Sequence, residues 1–110
     1  MSSEAMLVLT TCAGPAEAER LADRLVEARL AACVNRIDSV ASTYRWQGNI
    51  ERDHESLLLI KTTKDRYPAL EEAIREQSSY DVPEVIAVPL AAGASAYLGW
   101  LSAAVQKEKV

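Results

Sequence analysis

The sequence predicts an α+β fold: a ferredoxin-like βαββαβ sandwich with a long hairpin between its second and third strands and a short C-terminal helix. Three observations predict it. Strand and helix patterns follow one another as strand, helix, strand, strand, helix, strand and a final helix. Between Ala31 and Thr63, two β-prone runs flank Gly48-Asn49, a two-residue turn signal. Leu57, Leu58, Leu59 and Ile60 are consecutive and apolar, so both faces of that strand want burial.

The elements follow in order. Met6–Thr11 is apolar and β-prone and reads as a buried strand. Gly14-Pro15 comes next, and Pro15 suits the first helical position because its missing N–H is not needed there. Glu17 falls in the first turn, where the helix dipole favours negative charge. Leu21, Leu25, Ala28 and Ala32 recur at i, i+4, i+7 and i+11, widened by Ala18 and Ala22. Glu19, Arg20, Asp23, Arg24 and Glu27 mostly take the other side. This spacing predicts an amphipathic helix of about four turns.

Each arm of the hairpin extends about 13 to 15 residues, or about 45 Å at about 3.3 Å per residue. A domain of this length has a radius of gyration of about 13 Å. The hairpin therefore overhangs its own domain and needs cover, most simply from another copy of the chain. Thr63 or Asp65 is placed to cap a second helix, with Pro68 in its first turn and Tyr67, Leu70 and Ile74 on its buried face. Val82–Leu90 reads as a strand, and Pro83 and Pro89 near its ends suit an edge strand or strand ends. Gly93 breaks the chain. Tyr97, Leu101, Ala104 and Val105 mark the terminal helix, with Lys107 and Lys109 after it. Two helices then cover one face of a four-stranded, mostly antiparallel sheet and leave the other face open.

Residues 1–110 suffice for one domain and are too few for two. The sequence is 49% hydrophobic and 25% charged, which marks a folded chain rather than a disordered one. A net charge of −4 with no block of like charges argues against nucleic acid as a partner. No apolar run approaches the roughly 20 residues that span a bilayer, so no membrane partner is expected. Met-Ser-Ser-Glu-Ala-Met at the start has neither the positive region nor the apolar stretch of a signal peptide, so a cytoplasmic location is expected. Cys12 and Cys33 would stay reduced there. Their 21-residue spacing matches no zinc motif.

Several motifs carry a resemblance. They are Arg29-Leu30-Ala31-Ala32-Cys33-Val34-Asn35, Tyr44-Arg45-Trp46-Gln47-Gly48-Asn49-Ile50, Glu55, Leu58, Ile60-Lys61-Thr62, Tyr80, Val82-Pro83-Glu84-Val85-Ile86 and Tyr97-Leu98-Gly99-Trp100. Their order and spacing, over about residues 6 to 104, resemble the CutA family of divalent-cation tolerance proteins. The resemblance implies a homotrimer of ferredoxin-like subunits whose long hairpins contribute to the subunit contacts. It also implies an architecture shared with PII-type signalling proteins, and a link to tolerance of divalent cations such as copper. In one place the sequence departs from the family. Ser78-Ser79-Tyr80 stands where the family usually reads His-Pro-Tyr, so a histidine often suggested as a metal contact is absent. Thr10-Thr11-Cys12 keeps most of the Thr-Cys-Pro form of some relatives.

Cys12, Cys33 and His54 are the candidate ligands for copper or another divalent cation. A soft divalent ion wants several thiolate or imidazole ligands converging on one point. The two strands of a βαβ unit run parallel, so Cys12 at the end of the first and Cys33 at the start of the second lie about 20 Å apart. They can neither share a metal nor form a disulfide within one chain. A tight site would need a second subunit or carboxylates. Cys33 reads as a small buried residue at a helix–strand junction, and Cys12 as the more reachable thiol. His54, between Asp53 and Glu55, reads first as a solvated surface residue.

Tyr44 and Trp46 share one strand face and read first as subunit packing. The sharper reading makes them a wall of an intersubunit ligand pocket with Glu55, Lys61 and Glu84. Lys61 follows four apolar residues and is costly to bury unpaired. It calls for a carboxylate, Glu84 or Glu55, or for a small anionic ligand. No catalytic constellation is visible: His54 is the single histidine, and four scattered glycines form no phosphate loop. No cofactor is obligatory. Two functions stand open at this point. One is a non-enzymatic, trimeric tolerance protein that binds metal weakly or acts as a scaffold. The other is a PII-like sensor that binds an anionic metabolite between subunits.

Overall fold

The computed structural model describes residues 4–106; Lys107 and Lys109 lie outside the described residues. Seven elements follow in the predicted order: β1 (Ala5–Cys12), α1 (Pro15–Glu27), β2 (Cys33–Trp46), β3 (Asn49–Thr63), α2 (Tyr67–Gln77), β4 (Ile86–Pro89) and α3 (Ser95–Ala104). The sheet order is β2-β3-β1-β4, and each neighbouring pair is antiparallel. The long hairpin stretches the molecule to 47 × 30 × 21 Å.

Strand alternation places the core. Val8, Thr10 and Cys12 of β1 pair with Ile60, Leu58 and Ser56 of β3, and all six are buried. Val8, Cys12, Leu58 and Ile60 join Ala18, Leu21 and Leu25 of α1 and Leu70 and Ile74 of α2 in one cluster. Each fully buried Leu, Ile or Val there contributes about 1.5–3 kcal/mol. The alternate residues Leu7, Leu9, Leu57 and Leu59 are only partly buried. At one end of this second face, α3 packs Leu101 and Val105 against Ala5, Ala32 and Leu90.

Four local expectations are corrected. α1 stops at Glu27 rather than running through Ala32, because Arg29 turns left-handed at φ 57. The N–H groups of Leu30 and Ala31 both donate to the Leu25 carbonyl, at 2.9 and 3.1 Å. The apolar spacing outlasts the helix because Leu30, Ala31 and Ala32 stay buried in the turn. β4 covers Ile86–Pro89, not Val82–Leu90, since its ladder with β1 runs only from Met6↔Pro89 to Leu9↔Ile86. Neither Thr63 nor Asp65 caps α2; its N-cap is Arg66 without a side-chain bond, and the Thr63 hydroxyl donates to Asp65 instead.

The hairpin turn is Gln47-Gly48, not Gly48-Asn49, because Asn49 already pairs with Trp46. Gln47 and Gly48 have φ 49 and 83, the two positive values that a type I′ turn demands. A β-bulge divides the hairpin. Ile37 faces Leu57 and Val40 faces Glu55, which leaves Asp38 and Ser39 opposite Ser56. Ser39 is left-handed at φ 60. Asp38 Oδ1 accepts from the Ser56 hydroxyl at 2.8 Å and meets Arg36 Nε at 3.0 Å, which ties the bulge to β3.

Candidate functional site

The bulge decides which side chains reach the site. Before it, Cys33, Asn35 and Ile37 lie opposite Lys61, Leu59 and Leu57. After it, Val40, Ser42, Tyr44 and Trp46 lie opposite Glu55, Asp53, Glu51 and Asn49. β3 keeps its alternation throughout, so the extra residue in β2 brings the even-numbered side chains of β2 onto the face of Glu55. Thr11, opposite Leu57 on the other side of β3, shares that face.

These residues wall a cavity of about 610 Å³. Thr11 comes from β1, Ser42, Thr43, Tyr44 and Trp46 from β2, and Glu55 from β3. Ser79, Tyr80, Asp81, Val82 and Glu84 close it from the segment between α2 and β4. Glu55 is only 9% exposed, and its Oε2 accepts the Tyr80 hydroxyl at 2.7 Å. Burial, then the hydrogen bond to Glu55, holds the Tyr80 phenol well above its ordinary range, so Tyr80 remains the donor. The Tyr44 hydroxyl donates to Asp53. That bond, ahead of other causes, pushes the Tyr44 phenol up to about 12.

Four of the sequence-predicted pocket residues, Tyr44, Trp46, Glu55 and Glu84, meet at this cavity. Lys61 does not. It lies six positions along β3 from Glu55, about 20 Å away at about 3.3 Å per residue. Its ammonium donates to Asn35 Oδ1, so an amide stands where Glu84 or Glu55 was expected. The register explains this: Lys61 shares the face of Glu55 but sits opposite Cys33 and near Asn35, at the other end of β3.

The two cysteines reverse their expected exposure. Cys12 is 2% exposed, because it continues the inward alternation of Val8 and Thr10 toward α1. Burial first, then the charges of Glu17 and Glu55, raises its thiol to about 11. Metal ligation and nucleophilic attack need the thiolate, which this environment disfavours. Cys33 is partly exposed, with its sulfur 3.9 Å from Asn35 Oδ1. Tyr97 stands against it, its phenol raised by burial and then by Cys33. Cys33 is level with Leu7 across β3, five residues from Cys12 on β1, a separation of about 17 Å along the strands. His54 is exposed on the hairpin, opposite Ala41. Among the described residues, no group of three His, Cys, Asp or Glu is placed to hold a metal ion. The two thiols and the imidazole of one chain therefore do not fit a copper centre.

Sequence reasoning missed Thr11, Tyr80 and Asp81. Tyr80 is itself one of the residues that carry the family resemblance, and that was the signal that pointed to it.

Comparison with known proteins gives one family. The model of the CutA1 divalent ion tolerance protein matches residues 6–104. The divalent-cation tolerance protein CutA of Thermus thermophilus is 46% identical over 95 residues, covering 86% of this chain and 92% of that protein. Protein CutA of Mus musculus is 46% identical over 91 residues, covering 83% of this chain and 51% of that longer protein. The crystal structure of CutA1 from Oryza sativa superimposes with a TM-score of 0.93 at 36% identity, covering 97% of this chain and 98% of that one.

Proposed function

This chain belongs to the CutA1 divalent ion tolerance family, and from that premise we propose that it serves divalent-cation tolerance as a non-enzymatic homotrimer in the cytoplasm. The observation that carries the assembly is the second face of the sheet. Leu7, Leu9, Leu57 and Leu59 lie there partly buried, and Ile37, Ile86 and Val88 beside them are 48%, 53% and 50% exposed. A contiguous apolar face of this kind marks an interaction surface. The exposed hairpin arm supplies the reach to a neighbouring copy. No helix among the described residues is long and apolar enough to cross a membrane.

Copper is the cation we propose, held weakly, with carboxylates or a second subunit completing any site. One chain separates its thiols and buries Cys12, so a preformed thiolate pair is not its mode of binding. The reading as a PII-like sensor of anionic metabolites has less support: within one chain Lys61 stands away from the cavity, whose acidic walls are Glu55, Asp81 and Glu84.

Native mass spectrometry of protein purified without added metal tests the assembly. A trimer is expected, and a monomer at micromolar concentration would remove the proposal. Copper titration of Cys12→Ser and Cys33→Ser then tests the thiols. Unchanged affinity in both variants rules out direct thiolate binding.

A further inference from the structure

We infer that Asp38 is a positioning residue for assembly: it fixes the bend of the hairpin at the bulge and so aims the exposed arm at the neighbouring copy, from the side of the sheet opposite the apolar contact face. This rests on the trimer proposed above. The bulge is where the arm leaves the body of the domain. Asp38 and Ser39 of β2 stand opposite the single Ser56 of β3, and Ser39 is left-handed at φ 60. An extra residue of this kind bends the strand, raises its twist and interrupts the ladder. Pairing resumes at Val40 and Glu55, but the bend itself has no ladder bond to hold it.

Side chains hold it instead. Asp38 Oδ1 accepts from the Ser56 hydroxyl at 2.8 Å and meets Arg36 Nε at 3.0 Å. Ser56 is fully buried, as is Leu58, which lies opposite Arg36 and packs with α1 and α2. The clamp therefore lies on the helix side of the sheet. Leu57 and Leu59, which the trimer covers, alternate to the other side. Asp38 acts on the contact only through the direction of the arm.

The length of the arm makes that direction matter. From Val40 to Trp46 it runs about 20 Å at about 3.3 Å per residue, so a swing of about 10° at the bulge moves the tip by about 3.5 Å. Apolar contacts form within about 4.0–4.5 Å, so a swing of this size breaks those made by the tip. The arm has little packing on its own chain to steady it: Tyr44, Arg45, Trp46, Asn49 and Ile50 are all exposed. A looser bend lowers the fraction of chains whose arm is ready to bind, and the apparent affinity falls with that fraction. A trimer needs three aimed arms at once, so the loss multiplies.

The test is native mass spectrometry of the intact protein over a dilution series, parent beside variants. Asp38→Ala should raise the concentration at which the trimer forms about tenfold, as for loss of one charge-assisted hydrogen bond, with circular dichroism unchanged. Ser56→Ala, which removes the donor, should do the same. Asp38→Asn keeps an oxygen for the Ser56 hydroxyl and should restore assembly to the parent's level, a rescue that a bare need for charge would not give. Should Asp38→Ala fail to fold, Ser56→Ala decides. A trimeric parent whose folded alanine variants assemble as readily as it does overturns the inference alone, and so does an Asp38→Asn variant as weak as Asp38→Ala. A monomeric parent overturns the proposed trimer, and the inference with it.

Discussion

The two halves of the β2–β3 hairpin share one continuous type of hydrogen-bonded ladder, yet they stand in different surroundings. Near the root, Leu58, Ile60 and Thr62 are fully buried beneath the helices. Beyond the bulge, Asn49, Ile50, Arg52, Asp53 and His54 are all exposed, as are Tyr44, Arg45 and Trp46 opposite them. Backbone pairing therefore shapes both halves, while side-chain packing secures only one. A lone two-stranded ribbon is marginal in water. The root is held by its own chain, and the arm is where the proposed trimer would supply cover.

The largest expected effects break that contrast directly. Leu58→Ala should cost about 2–5 kcal/mol in urea unfolding, because it empties a fully buried position. Ile50→Ala, at a residue 49% exposed, should leave the circular dichroism unchanged and shift trimer toward monomer in native mass spectrometry. If neither signal moves, the arm is bare surface. Gly48→Ala comes next, at about 1 kcal/mol in thermal unfolding. The added Cβ meets nothing within 4 Å, so the loss is backbone strain at φ 83 alone.

Smaller effects compare single groups at the two ends. Iodoacetamide at mildly alkaline pH should label Cys33 well before Cys12, as read by peptide mass spectrometry. In a Cys33→Ser variant, stability should fall as pH rises from about 9 to about 11. The folded chain holds the Cys12 proton across that window and the unfolded chain releases it, so alkali favours unfolding. A flat profile would place the thiol in contact with water. The smallest effect belongs to the arm: Asp53→Asn should bring the Tyr44 phenol from about 12 back toward 10 in ultraviolet titration. An unmoved titration would show that Asp53 does not hold that hydroxyl.

Much of this architecture was legible in local pattern. The Leu57–Ile60 run and the long hairpin foretold a sheet with one face short of cover, and alternation placed Tyr44 and Trp46 together. Local pattern failed where tertiary contacts decide. The apolar spacing of α1 continues through Ala32, but a left-handed Arg29 ends the helix without a glycine to announce it. Val82 and Glu84 look like strand residues, yet they leave the ladder to wall the cavity. Lys61 found an amide on the adjacent strand, which no spacing along the chain discloses. Glu55 and Tyr80 are 25 residues apart in sequence and meet only through the fold.

The bulge at Asp38-Ser39 also governs how this hairpin can change in length over generations. Deleting Ser39 alone would leave Asp38 opposite Ser56 and remove the bulge, while Val40 would still face Glu55 and Tyr44 still face Glu51. Deleting both Asp38 and Ser39 would instead slip the later pairing by one residue, and Tyr44 and Trp46 would turn away from the cavity together. Between Ile37 and Tyr44 the strand can thereby lose its one extra residue but not two, and a related chain two residues shorter there would foretell a cavity with different walls.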